Sequence, residues 1–71
     1  MEIHLQEFIN HIHLFNLIGE GKLRSYCGLE SIPDYSQKNL KNIFYNQPEL
    51  EHYVNNSESI FCDICKIKLS K

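Results

Sequence analysis

The sequence predicts a mostly α fold: two to three short helices and a small C-terminal β-hairpin that forms a zinc knuckle. All of it fits one small metal-stapled domain over residues 1–71. Three observations carry that expectation. Leu5, Phe8, Ile9, Ile12 and Phe15 recur at helical spacing. Pro48 sits where it suits the first turn of a helix. Cys62 and Cys65 form a Cys-x-x-Cys turn near the end of the chain.

The first helix is expected over 2–18, stopped by Gly19 and Gly21. Its apolar residues do not stay on one side. Ile3, Leu14, Leu17 and Ile18 project away from the main stripe, and only a strip around Glu2, Gln6, Asn10 and His13 is polar. A helix apolar nearly all round is buried on both sides. Either later segments of the chain wrap this second side, or Leu14, Leu17 and Ile18 are a partner-binding face, turned to another protein or to a second copy in a homodimer.

Residues 19–35 read as loop and short strand, with weak alternation in Lys22-Leu23-Arg24-Ser25-Tyr26-Cys27-Gly28 and a loop around Pro33. A second helix is expected over 36–46, with Leu40, Ile43 and Phe44 inward. A third follows over 48–55, burying Leu50, Tyr53 and Val54, with Glu49 and Glu51 favouring its dipole. The knuckle hairpin is expected over 59–70, because Lys66 to Leu69 alternate in polarity.

The chain has 71 residues. One this short buries only about 60% of its unfolded surface, so a staple is expected. Three cysteines, an odd number, argue against a secreted disulfide framework. The first Lys or Arg is Lys22, so no basic leader region is visible, and no apolar run approaches the ~20 residues of a membrane span. A cytoplasmic, reducing location follows as the expectation, with thiols free for metal.

Two thiolates separated by two residues on a tight turn supply two of the four ligands of tetrahedral zinc. Cys27 offers a third sulfur, and Gly28 beside it lets the backbone turn. His52 is the expected fourth ligand, in competition with His4, His11 and His13. On a helix His11 and His13 point about 160–200° apart and cannot share an ion; on a strand they would align. The expected cofactor is thus one structural zinc per chain on Cys27, His52, Cys62 and Cys65.

Catalysis has little support. The chain has no Gly-rich phosphate loop and no His-Glu-x-x-His helix. The expected function is a non-catalytic regulator, inhibitor or adaptor that docks onto another protein. A zinc-finger-like nucleic-acid binder using Lys66, Lys68 and Lys71 is the alternative, disfavoured by a net charge of -2. A thiol redox protein is a further alternative, disfavoured because the strand expected after Cys65 gives no helix dipole to activate a thiol.

Overall fold

The computed structural model describes residues 1–33 and 43–70. It departs from expectation at the first helix. Residues 2–18 form two strands, β1 (Ile3–Phe8) and β2 (His11–Gly19), paired antiparallel with Leu5 opposite Leu14 and Phe8 opposite His11. β3 (Lys22–Ser25), β4 (Glu30–Ser31) and β5 (Ile43–Phe44) complete an antiparallel sheet in the order β4-β3-β2-β1-β5. Among the described residues there are two helices, α1 (Gln47–Asn56) and α2 (Asp63–Leu69). The fold is mainly a five-stranded antiparallel sheet with two short helices, not mostly α.

The reason lies in the same apolar residues. An apolar set that wraps a helix all round becomes, on two paired strands, two separate sheet faces. Ile3 and Leu5 share one face with Leu14, while His4 and Phe15 lie opposite each other on the other. Ile and Phe also favour the pleated surface. The turn between β1 and β2 hides the hairpin. Ile9 and Asn10 both adopt positive φ, 50° and 64°. That is the conformation of a two-residue hairpin loop, which Asn-Gly normally announces. Here a β-branched residue holds the first position.

Most of the helix expected over 36–46 falls on residues 34–42, outside the described residues. Its end, Ile43–Phe44, is strand β5 on Ile3 and His4. α1 takes in the helix expected over 48–55. Asn46 caps it: its Oδ1 accepts from the Glu49 N–H at 2.8 Å, while its Nδ2 donates to the Glu49 carboxylate at 3.1 Å. Leu50 and Val54, one turn apart, are its buried residues.

The expected C-terminal hairpin is α2. The alternation of Lys66 to Leu69 suits a strand, but Cys65 and Leu69 are also an i, i+4 pair, and both are buried. Asp63 in the first turn and Lys66 and Lys68 in the last complement the helix dipole. One core results: Ile3, Leu5, Leu14 and Phe44 from the sheet, Leu50 and Val54 from α1, Phe61, and Cys65 and Leu69 from α2. No helix among the described residues is long and apolar enough to cross a membrane.

Candidate metal centre

The centre forms where β2 changes partners. One edge of β2 is paired to β1 from His11 to Asn16. Along its other edge, the Tyr26 N–H donates to the Leu14 carbonyl at 2.9 Å, continuing the β3 pairing. Two residues earlier, Ile12 takes a different neighbour. Its N–H donates to the Ile60 carbonyl at 2.8 Å, and its carbonyl accepts from the Cys62 N–H at 2.9 Å. Phe61 thus bridges to Ile12 in parallel. His13 is the residue between the two junctions. Cys27 arrives beside it just past Tyr26, and Cys62 just past Phe61.

Each sulfur is positioned locally. Cys27 sits in a tight loop. The Ser25 N–H donates to the Leu29 carbonyl at 2.7 Å, the Leu29 N–H to Ser25 Oγ at 2.7 Å, and the Gly28 N–H to the Ser25 carbonyl at 3.0 Å. Gly28 holds φ at +105°, a conformation that L side chains rarely adopt. Cys62 is the N-cap residue of α2, and the Lys66 N–H donates to its carbonyl at 3.1 Å. Cys65, one turn on, is fully buried.

The imidazole of His13 is buried, with Phe8 edge-on at 6.1 Å and Phe15 tilted at 6.2 Å between ring centroids. Its Nδ1 lies 3.3 Å from Cys27 Sγ and 3.8 Å from Cys65 Sγ. Ser25 Oγ is 3.1 Å from Cys27 Sγ. The donor atoms of His13, Cys27, Cys62 and Cys65 all lie within 4.8 Å of one another. Four side chains from three parts of the chain thus converge on one point, and together they can hold one metal ion.

The thiols are electrostatically unequal. Burial pushes the Cys27 thiol up, but hydrogen bonds from Ser25, His13, Cys65 and Cys62 outweigh it and bring it down to about 6. Burial pushes the Cys65 thiol up to about 11; hydrogen bonds to Cys27 and Cys62 add to the rise, against backbone hydrogen bonds that lower it. Without metal, the site favours the thiolate at Cys27 and disfavours it at Cys65. A divalent cation overrides that preference, because a coordinating thiol is deprotonated outright.

His13 stands in the place expected of His52. His52 is exposed on α1, and the Asn56 side-chain amide reaches its ring Nδ1 at 3.3 Å and its carbonyl at 2.8 Å. It lies two residues from buried Leu50, about 200° around the helix, so α1 turns it outward. His11 shares the strand face of His13 but is exposed, and its Nδ1 donates to the Ile9 carbonyl at 3.0 Å. His4 is buried against Glu2, Nε2 to Oε2 at 2.7 Å.

Of the residues expected to face a partner, Leu14 belongs to the core, while Leu17 and Ile18 are exposed. Lys66 and Lys68 are exposed on α2, about 200° apart around its axis; Lys71 lies outside the described residues. The His-Ile-His alternation places His11 and His13 on one strand face once Asn10 is recognised as a turn residue, but it does not choose between them. No protein-family model, curated protein or solved structure matches this chain.

Proposed function

We propose that this chain is a small non-catalytic binding protein whose fold is held by one structural zinc on His13, Cys27, Cys62 and Cys65. The four-donor cluster carries the reading. Three soft thiolates and an imidazole are the ligand set of structural zinc. Zinc bonds of about 2.3 Å to sulfur and about 2.0–2.1 Å to nitrogen give a tetrahedral S···N separation of about 3.6 Å. The distances from His13 Nδ1 to Cys27 and Cys65, 3.3 and 3.8 Å, bracket that value. A tetrahedral S···S separation is about 3.8 Å, so no donor pair has to close by more than roughly 1 Å. Four protein ligands leave no open position for a reacting water, which makes the role structural.

Docking onto another protein is supported by the surface beside the site. Ile60, Ile64 and Ile67 are 66%, 53% and 57% exposed and flank the two cysteines in sequence. A metal on Cys62 and Cys65 fixes the turn that presents them. Elemental analysis of the purified full chain should give about one zinc per chain, with chelator lowering the melting temperature. Sedimentation over a concentration range should show self-association, or apolar dye should bind the monomer. A metal-free protein indifferent to chelator sinks the zinc; a monomer without dye binding removes the docking role.

A further inference from the structure

Cys27, Cys62 and Cys65 are all free thiols, and they differ in access: Cys27 and Cys62 are half-buried, Cys65 fully buried. Cys62 and Cys65 also have a geometry of their own. They span the first turn of α2, closed by the bond from the Lys66 N–H to the Cys62 carbonyl. Residues three apart on such a turn have Cα atoms about 5 Å apart. Disulfides join Cα atoms roughly 4.4–6.8 Å apart. The sulfurs already lie within 4.8 Å, so side-chain rotation alone can bring them together. Cys27 is restrained: its sulfur sits against Ser25 Oγ and His13 Nδ1, in a loop tied by three hydrogen bonds.

We propose that Cys62 and Cys65 form a peroxide-reactive dithiol, and that joining them as a disulfide ejects the metal. The second half rests on the metal reading above; the disulfide does not. The half-buried Cys62 thiolate attacks one oxygen of the peroxide, the O–O bond breaks and hydroxide leaves, giving a sulfenic acid. Cys65, a thiolate when it is on the metal and shedding its proton as it reacts in the metal-free chain, attacks that sulfur, the S–O bond breaks, a second hydroxide leaves and the S–S bond forms. Two protons convert the hydroxides to water. The two thiolates lose two electrons and the peroxide gains them. The metal then keeps only His13 Nδ1 and Cys27 Sγ, too few protein ligands for a closed tetrahedral site. The disulfide closes a very short loop and stabilises the fold little, so a dithiol reductant restores the site.

The test treats the full chain, zinc-loaded and metal-free, with hydrogen peroxide at one equivalent per chain. Intact mass, peptide mapping and a chromogenic zinc chelator read the result. The expected outcome is loss of two hydrogen atoms, a Cys62–Cys65 crosslink, one zinc freed per disulfide, and reversal by dithiothreitol. Metal-free Cys27→Ser should still form the crosslink, whereas Cys65→Ser should stop at a trappable sulfenic acid. A crosslink through Cys27, oxidation to sulfinic acid without a crosslink, or zinc retained on the crosslinked chain each overturns the proposal. A crosslink in a chain that never binds zinc supports the dithiol and overturns the metal reading. Zinc binding without a crosslink does the reverse.

Discussion

Replacing His13 by Gln separates the metal from the packing around it. The side chain stays large and polar between Phe8 and Phe15, but the Nδ1 donor is lost. A ligand that binds only the folded state stabilises it by RT ln(1 + [L]/Kd), about 4.1 kcal/mol at a thousandfold excess over Kd. For 71 residues the unfolding entropy near 60 °C is about 150 cal/mol/K, so 1 kcal/mol moves the melting temperature by roughly 7 °C. Wild type should therefore gain about 9 °C for each tenfold rise in free zinc above Kd. Loss of a ligand weakens affinity by at least the roughly 100-fold seen for outer-shell changes, or about 2.7 kcal/mol. At fixed free zinc the His13→Gln protein should fall short of the wild-type gain by about 18 °C. Differential scanning fluorimetry in buffered zinc measures the zinc-dependent rise apart from any shift of the metal-free melting point. His52→Ala, changing an exposed residue, should keep the full rise. If His52→Ala loses it and His13→Gln keeps it, the ligand assignment is refuted.

Ile9→Asn should raise the melting temperature by several degrees, since relief of an L-residue at φ 50° is worth about 1–2 kcal/mol and Asn tolerates that region. A fall would show that the Ile9 side chain contributes more than its backbone costs. Gly28→Ala should destabilise by about 1–2 kcal/mol through the backbone alone, because no atom lies within 4 Å of the added Cβ, and it should also weaken zinc binding by moving Cys27. Zinc affinity unchanged by Gly28→Ala would detach the loop from the site. Leu50→Ala, at a fully buried position, should cost about 2–5 kcal/mol in a denaturant titration, with zinc stoichiometry retained wherever the variant folds. Because the ligands must shed protons to bind, acid should release zinc and loosen the fold in one transition, monitored together by a metal indicator and circular dichroism. Metal loss well separated in pH from unfolding would remove the structural role.

The cysteines of the site are legible in the sequence, and the histidine is not. Cys-x-x-Cys needs only local spacing, and it brings two sulfurs together on a helical turn as readily as on a hairpin. His13 depends on the secondary structure of its own segment. Its register follows from Ile9 and Asn10 turning the chain, a turn made without glycine. The same ambiguity hides the sheet. Leu5, Phe8, Ile9 and Ile12 satisfy a helical period, while Ile3, Leu5, Ile12 and Leu14 satisfy an alternating one, and hydrophobicity alone does not choose. Long-range pairing decides it: β5 adds to β1, and the 60–62 segment adds to β2. Such partners lie too far along the chain for a local window to contain them. α2 is misjudged for the opposite reason, because in seven residues a strand pattern and a single i, i+4 contact look alike.

The change of partner along β2 has a consequence for the order of events during synthesis. β1, β2 and β3 are consecutive antiparallel neighbours, and hairpins of this kind close in roughly microseconds. Ribosomes add roughly 5–20 residues per second, so this meander, the first part to emerge, can pair before the 60–62 segment is free to dock. Until then the backbone of Ile12 has no neighbour on its outer edge, and His13 and Cys27 wait without Cys62 and Cys65. The nascent chain passes through a stage in which the Ile12 edge of β2 is unpaired and half the ligand set is present. An ion that binds then meets two donors, not four, so tight capture needs Cys62 and Cys65 in place as well. Metal loading thereby reports that the C-terminal segment has docked.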